Sequence, residues 1–326
     1  MDTIIFEKLY AQDAISLASL KKIKEEEGKQ LVSVHWELKT LLYLGVLLLS
    51  TGLGIVVYKN IDSIGHQAIL AFIAIISAGC FYYCVKTKTP FLREKAVTPN
   101  AFFDYSLLMG CLTFITFIGY LQFQYQVFGY RYGLASFIPM LVLFFSAYYF
   151  DHLGVLSMAI TNLAAWAGLA ITPASILKEN DFSSTTIILT GLLLGVVLIV
   201  AGIVSKRRNF KRHFEFTYTN FGANLLFISC LAALFTFDGI YLLWFLLLAG
   251  ISYFFYLKSF AEKSFYYLLL MSVYLYIGLS YVVIRLLFFT AHGEMGSVYI
   301  SLLYFIGSAI GMIVFLMRMN KKIKSL

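Results

Sequence analysis

From residue 40 onward, ten uncharged runs divide the chain: 40–58, 63–85, 105–130, 132–150, 152–177, 182–205, 216–237, 239–257, 264–284 and 295–317. Each is 19 to 26 residues long. A helix that crosses a bilayer needs about 20 apolar residues, whereas a barrel strand needs about ten with polar alternation. The runs lack that alternation, so the pattern predicts ten membrane-spanning helices. The turns at Asp151 and Asp238 are the shortest connections and the places where this count is most exposed to error.

The charges between the runs give an orientation. Residues 182–205 are uncharged, and Lys206, Arg207, Arg208, Lys211 and Arg212 follow at once. With the N-terminus in the cytoplasm, 21 of the 25 Lys and Arg residues fall on the inner side. Lysines and arginines in short loops are retained on the cytoplasmic side, so the expectation is a cytoplasmic location for both termini. In a bacterium the membrane would be the inner one. The fold expected is an all-α polytopic transmembrane helix bundle of about ten spans, preceded by a short cytoplasmic helical segment. The domain boundaries expected are 1–39, 40–317 for the spans, and a basic tail at 318–326.

Composition agrees with this picture. The chain is 60% hydrophobic and 13% charged, against about 25% charged residues in soluble domains. Its net charge of +8 is spread over short loops that orient spans. No long soluble surface is available to present a basic face, so no nucleic-acid partner is expected. Cys80, Cys84, Cys111 and Cys230 all fall inside runs and are expected to be free thiols.

Residues 1–39 form the longest polar stretch and hold seven of the 17 acidic residues. Asp13 is a candidate helix cap there. The segment reads either as a stalk on the membrane surface or as a docking site for a protein partner. Gln122 to Phe128 alternates polar and apolar residues, which suggests an interfacial hairpin, with a strand as the other choice.

Candidate functional residues are few. Burying an ionisable group in lipid is costly, so such residues draw attention. Asp104 and Arg285 lie at run ends, and Asp151 with His152 forms a tight turn. Asn162 and Asn224 are amides inside runs and could bridge helices or line a cavity. Gly191 and Gly195, and Gly307 and Gly311, repeat at the four-residue spacing that lets helix backbones approach. No metal site, cofactor loop or nucleophile motif is evident. An enzyme is therefore not expected, and no cofactor is assigned.

Residues 42–70 read LYLGVLLLSTGLGIVVYKNIDSIGHQAIL. With Gly45, Gly52, Gly54 and Asn60 in place, this stretch resembles the opening of an uncharacterised prokaryotic family of predicted membrane proteins, domain-of-unknown-function family 2157. An aromatic residue usually follows the Asn in that family, and Ile61 stands there in this chain. The resemblance covers roughly the first 85 residues; it implies membrane helices and no particular activity.

Two functional readings follow. One is a non-enzymatic membrane subunit or scaffold that binds a protein partner through residues 1–39. The other is a small-solute secondary transporter whose ten spans divide five plus five as inverted halves.

Overall fold

The computed structural model describes residues 65–96, 99–129, 132–171, 184–290 and 295–324, with scattered positions between 11 and 55. By internal contacts the chain divides after Ile69 into Met1–Ile69 and Leu70–Leu326. That boundary falls inside a helix.

In the first unit Ser16 Oγ accepts a hydrogen bond from the Ser19 N–H at 3.2 Å, an N-cap for the helical residues 17–19. Asp13, the cap suggested by the sequence, lies outside the described residues. So does all of 20–39, the core of the candidate docking segment. The described positions of the first run, among them Thr40, Tyr43 and Leu48, are helical.

The described helices beyond are α1 (His66–Thr87), α2 (Ala101–Tyr125), α3 (Tyr132–Phe150), α4 (Leu153–Ile171), α5 (Thr185–Arg207), α6 (Phe214–Thr236), α7 (Tyr241–Ala261), α8 (Phe265–Thr290) and α9 (Met295–Lys324). A single 3₁₀ turn, Asp238–Ile240, links α6 to α7. Eight of these helices are long and apolar enough to cross a bilayer. In α4 the qualifying apolar stretch, Leu153–Gly168, is shorter. The chain is a polytopic helical membrane protein.

Where helix ends differ from the uncharged runs, a polar residue lies inside the helix. α2 starts at Ala101 because Asn100 Oδ1 accepts from the Phe103 N–H at 2.7 Å, and Asp104 then sits in the first turn, where the helix dipole favours an anion. At its other end the 122–128 alternation is neither hairpin nor strand. Residues 122–125 are helical, and Gln126 takes a left-handed conformation (φ 48°) that ends the helix. The Gln122 side chain locks the turn, donating to Gly129 O at 2.7 Å and accepting from the Phe128 N–H at 2.9 Å. The alternation was a helix end capped by its own amide. Likewise the basic residues from Arg318 to Lys324 continue α9 as helix and do not form a separate tail.

Two cores form within Leu70–Leu326. One joins α1 to α4 around Phe103, Leu107, Leu143 and Leu156, and the other joins α6 to α8 around Phe227, Leu234, Leu248 and Phe255. α6 serves both, with Phe214 and Tyr218 in the first core and Ala223 to Leu234 in the second. α5 packs along α6 through a seam of small residues. A Cβ added to Gly195 would lie 2.7 Å from Leu226 Cγ, and one on Gly222 would lie 2.8 Å from Gly195 O. Only hydrogen fits at these positions, so the backbones approach closely and dispersion replaces the missing hydrophobic drive in lipid.

Candidate functional site

Helix ends cluster their charges at one end of the Leu70–Leu326 bundle, where α1, α3, α5 and α7 finish and α2, α4, α6 and α8 begin. Asp151 is the centre of this cluster. α3 stops at Phe150, and Asp151 follows in the left-handed region (φ 59°), a conformation that Asp tolerates better than most residues. The His152 N–H then bonds back to Ala147 O at 3.1 Å, the six-to-one closure of a Schellman motif. His152 Nδ1 accepts from the Val155 N–H at 3.2 Å and so starts α4. The same closure ends α5 through Asn209 (φ 48°) and α7 through Lys263 (φ 50°).

The Asp151 carboxylate is held from two loops. Its Oδ2 accepts from the Ala96 N–H at 2.6 Å, in the α1–α2 loop. Its Oδ1 lies 3.1 Å from Lys211 Nζ and 2.8 Å from His213 Nε2, both in the α5–α6 loop. The side chains of Lys211 and Asp151 are 1% and 3% exposed. Lys211 is fixed at its backbone as well: its N–H donates to Arg93 O at 2.8 Å and its carbonyl accepts from Ser205 Oγ at 3.1 Å. It also has a positive φ of 51°, which is strained for a long side chain and persists only where the surroundings over-determine it.

Two histidines adjoin the pair. His152 Nε2 is 3.6 Å from Asp104 Oδ1. Burial pushes the His152 imidazole below its ordinary 6.5, against the opposing pull of Asp104 and Asp151. Burial also lowers His213, again against Asp151. The cavity between the α1–α2 loop and the ends of α3 and α5 is lined by Lys88, Phe91, Tyr149, Asp151 and Lys211 and has a volume of about 10 Å³, near the lower limit for one water. An ammonium sealed against a carboxylate beside so small a space is a latch between loops.

A second charged group lies where α5, α6 and α7 meet. Lys206 is 2.6 Å from Glu262 and 3.8 Å from Glu215, while Lys258 is 2.5 Å from Glu215 and 3.2 Å from Glu262. Signs alternate around this ring, so its formal charge cancels. Burial raises Glu262, but the bonds from Lys206 and Lys258 outweigh it and hold the carboxyl below its ordinary 4.5.

Inside the helices the amides have specific partners. Asn224 Nδ2 donates to Asn220 Oδ1 at 2.9 Å, and Asn224 Oδ1 accepts from Tyr274 Oη at 2.9 Å. Tyr266 bonds to Asn220. These contacts tie α6 to α8. Asn162 instead donates to Met158 O of its own helix at 3.3 Å. Arg285 at the far end of α8 pairs with Asp238 and bonds to Tyr281, and its guanidinium stacks on Tyr241 at 4.3 Å.

The structure thus separates the sequence candidates. Asp104 reaches the Asp151 cluster through His152, Asn224 is a helix bridge, Arg285 closes the α6–α7 corner, and Asn162 is local. Gly191 and Gly195 pack against α6. Gly307 and Gly311 have nothing within 4 Å of a built Cβ, so the packing expected of them is not formed among the described residues. Lys211 and His213 were missed as a site because their partner lies some sixty residues away. The four cysteines are free, and among the described residues no group of three His, Cys, Asp or Glu is placed to hold a metal.

Residues 7–156 match DUF2157, a family of predicted membrane proteins. The match runs well past the first 85 residues that the opening motif suggests and covers a little under half of the chain. Within the described residues, the DUF2157 region holds α1 to α3 and the first turn of α4, and it includes Asp151 but not Lys211 or His213. No curated protein and no solved structure matches the chain.

Proposed function

We propose that this protein is a non-enzymatic subunit or scaffold of the bacterial inner membrane, with both termini in the cytoplasm, and that residues 1–39 bind a protein partner. The observation that carries this reading is the fate of the intramembrane amides. The side-chain oxygens of Asn220 and Asn224 accept from Tyr266 and Tyr274 and so join α6 to α8, and the Asn224 amide donates to Asn220. Such groups satisfy one another in lipid and rigidify the bundle. A solute path needs some of them left facing a space. The densely charged composition of residues 1–39 supplies a soluble arm that the spans themselves do not need.

The orientation rests on the loop charges. The end that carries Lys88, Arg93, Arg207, Arg208, Arg212 and Lys321 is the one retained in the cytoplasm. A C-terminal fluorescent-protein fusion should fluoresce and a C-terminal alkaline phosphatase fusion should be inactive; the reverse pair of results rejects this topology.

The functional test is a mild-detergent purification at native expression, with and without residues 1–37, read by mass spectrometry. A stoichiometric partner lost on truncation is the expected result. Partner-free protein from both preparations rejects the docking role and turns attention to solute binding near Asn162, the transporter reading.

A further inference from the structure

The five cations after α5 fall into two sets. Lys206 and Lys211 are spent inside the protein, on Glu262 with Glu215 and on Asp151. Arg207, Arg208 and Arg212 are exposed, and none has a carboxylate at ion-pair distance among the described residues. The loop geometry produces this split. Asn209 reverses the chain in the left-handed region, which returns Phe210 to stack on Tyr148 at 5.8 Å. Ser205 meanwhile binds the carbonyls of Phe210 and Lys211 at 2.7 and 3.1 Å. Lys211 is turned inward and the arginines are left outside.

Depth decides what the arginines meet. α5 has 23 residues and ends at Arg207. At 1.5 Å per residue it rises about 34 Å, close to the ~30 Å hydrocarbon thickness. Val204, one turn earlier, is 45% exposed and belongs to the apolar surface. Arg207 and Arg208 therefore stand at the level of lipid headgroups. The α1–α2 loop lies alongside through the Lys211–Arg93 backbone bond, and it adds exposed Arg93 and Lys95 with one acid, Glu94, between them. Phe91 and Leu92 in that loop are each 51% exposed.

The geometry points to an anionic-lipid binding surface: Arg207, Arg208 and Arg212, with Arg93 beside them, hold the phosphate headgroups of acidic phospholipids in the leaflet at the basic end. Guanidinium forks match phosphate oxygens in pairs. Exposed aromatic and aliphatic side chains next to them suit the headgroup–acyl boundary, and an acidic soluble peptide would leave them uncovered.

The test is arginine footprinting with butanedione on the full chain in nanodiscs of phosphatidylglycerol or phosphatidylcholine. Surface charge alone gives a cation near an anionic leaflet about 1 kcal/mol, about fivefold, so the three arginines, which also bond phosphate directly, should react more than fivefold more slowly in phosphatidylglycerol. Arg318 at the end of α9 senses the general surface charge and should be protected less. Equal protection of Arg318 would reduce the effect to surface potential and overturn the site. Protection by an acidic peptide in phosphatidylcholine discs, with none from phosphatidylglycerol, would also overturn it and assign the arginines to a protein. As a second measurement, Arg208→Gln should retain phosphatidylglycerol about fivefold more weakly in native mass spectrometry, with phosphatidylcholine unchanged. Lys321→Gln should change neither. Unaltered lipid retention by Arg208→Gln rejects the proposal.

Discussion

α6 and α9 are both long membrane helices with glycines in them, yet 56% of the apolar window of α6 is buried and 6% of that of α9. Of the eight qualifying helices α6 is the least apolar, and it is the one at the centre. Water would sort helices the other way. In a bilayer the tails already satisfy Leu and Ile, so hydropathy does not draw a helix inward. Amides, hydroxyls and glycines do, because their bonds and close contacts can be completed only by protein. α6 has Asn220, Asn224, Thr219, Ser229 and Gly222 on its packed faces. α9 turns Leu302, Leu303, Ile306 and Ile310 outward and packs chiefly on α8, to which Ser308 and Tyr304 are bonded.

The strongest contrast should come from the charges at the two helix ends. Lys211→Met, just before α6, leaves the Asp151 carboxylate buried without its cation, which costs about 3–5 kcal/mol. Adding Asp151→Asn should recover most of that loss. Lys321→Met on α9 removes an exposed cation and should stay within about 0.5 kcal/mol. Unfolding in mild detergent reads all three. Similar small losses for both lysines would mean that Lys211 does not neutralise Asp151.

Glycines come next. Gly222→Ala forces a methyl against Gly195 O at 2.8 Å, backbone that cannot swing aside, and should cost about 1–3 kcal/mol. Gly311→Ala has open space and should change stability by less than about 0.5 kcal/mol. If Gly311→Ala proves as damaging as Gly222→Ala, α9 is covered by another chain in the sample.

Smaller still is the polar bridge. Tyr274→Phe deletes the bond to Asn224 and should cost about 0.6 kcal/mol, the usual size of such bonds in membrane bundles. A loss above ~2 kcal/mol would show that the Asn220–Asn224 pair depends on this tyrosine as a unit. Acid should act on the α6 end as well. His152 and His213 have folded values below the ordinary 6.5, so the unfolded chain binds protons more readily. Stability is then complete above about pH 6.5 and declines as pH falls below it toward the folded values. The melting temperature should drop between pH 7.5 and 5.5, and His152→Gln with His213→Gln should flatten that slope. An unchanged slope in the double variant places the titrating groups elsewhere.

Much of the architecture could be read without coordinates because spanning depends on local composition. A run of about twenty apolar residues must be a helix in lipid, and the described runs became helices with ends shifted by a few residues. Those shifts came from charged residues such as Lys86, Asp104, Lys206, Glu215, Lys258, Arg285 and the cations from Arg318 onward, which helices accept near their ends and a search for uncharged runs excludes. Gln122 misled because its polarity was taken for alternation, when it caps a turn six residues on.

Long-range partners were hidden in the sequence. The spacing of Gly191 and Gly195 is identical to that of Gly307 and Gly311, and only the neighbouring helix makes one pair a seam and leaves the other open. Lys211 is one of five cations in the knot, and nothing nearby in the chain singles it out. It differs from Arg208 because the turn at Asn209 directs it toward Asp151, a residue that ends another helix. The sequence alone determined that the chain spans a membrane and which loops carry positive charge, since both depend on residues within one helix or loop. Which polar groups are spent inside and which are left to meet the lipid was decided by tertiary structure, since a buried charge needs a partner that only the folded chain can bring to it.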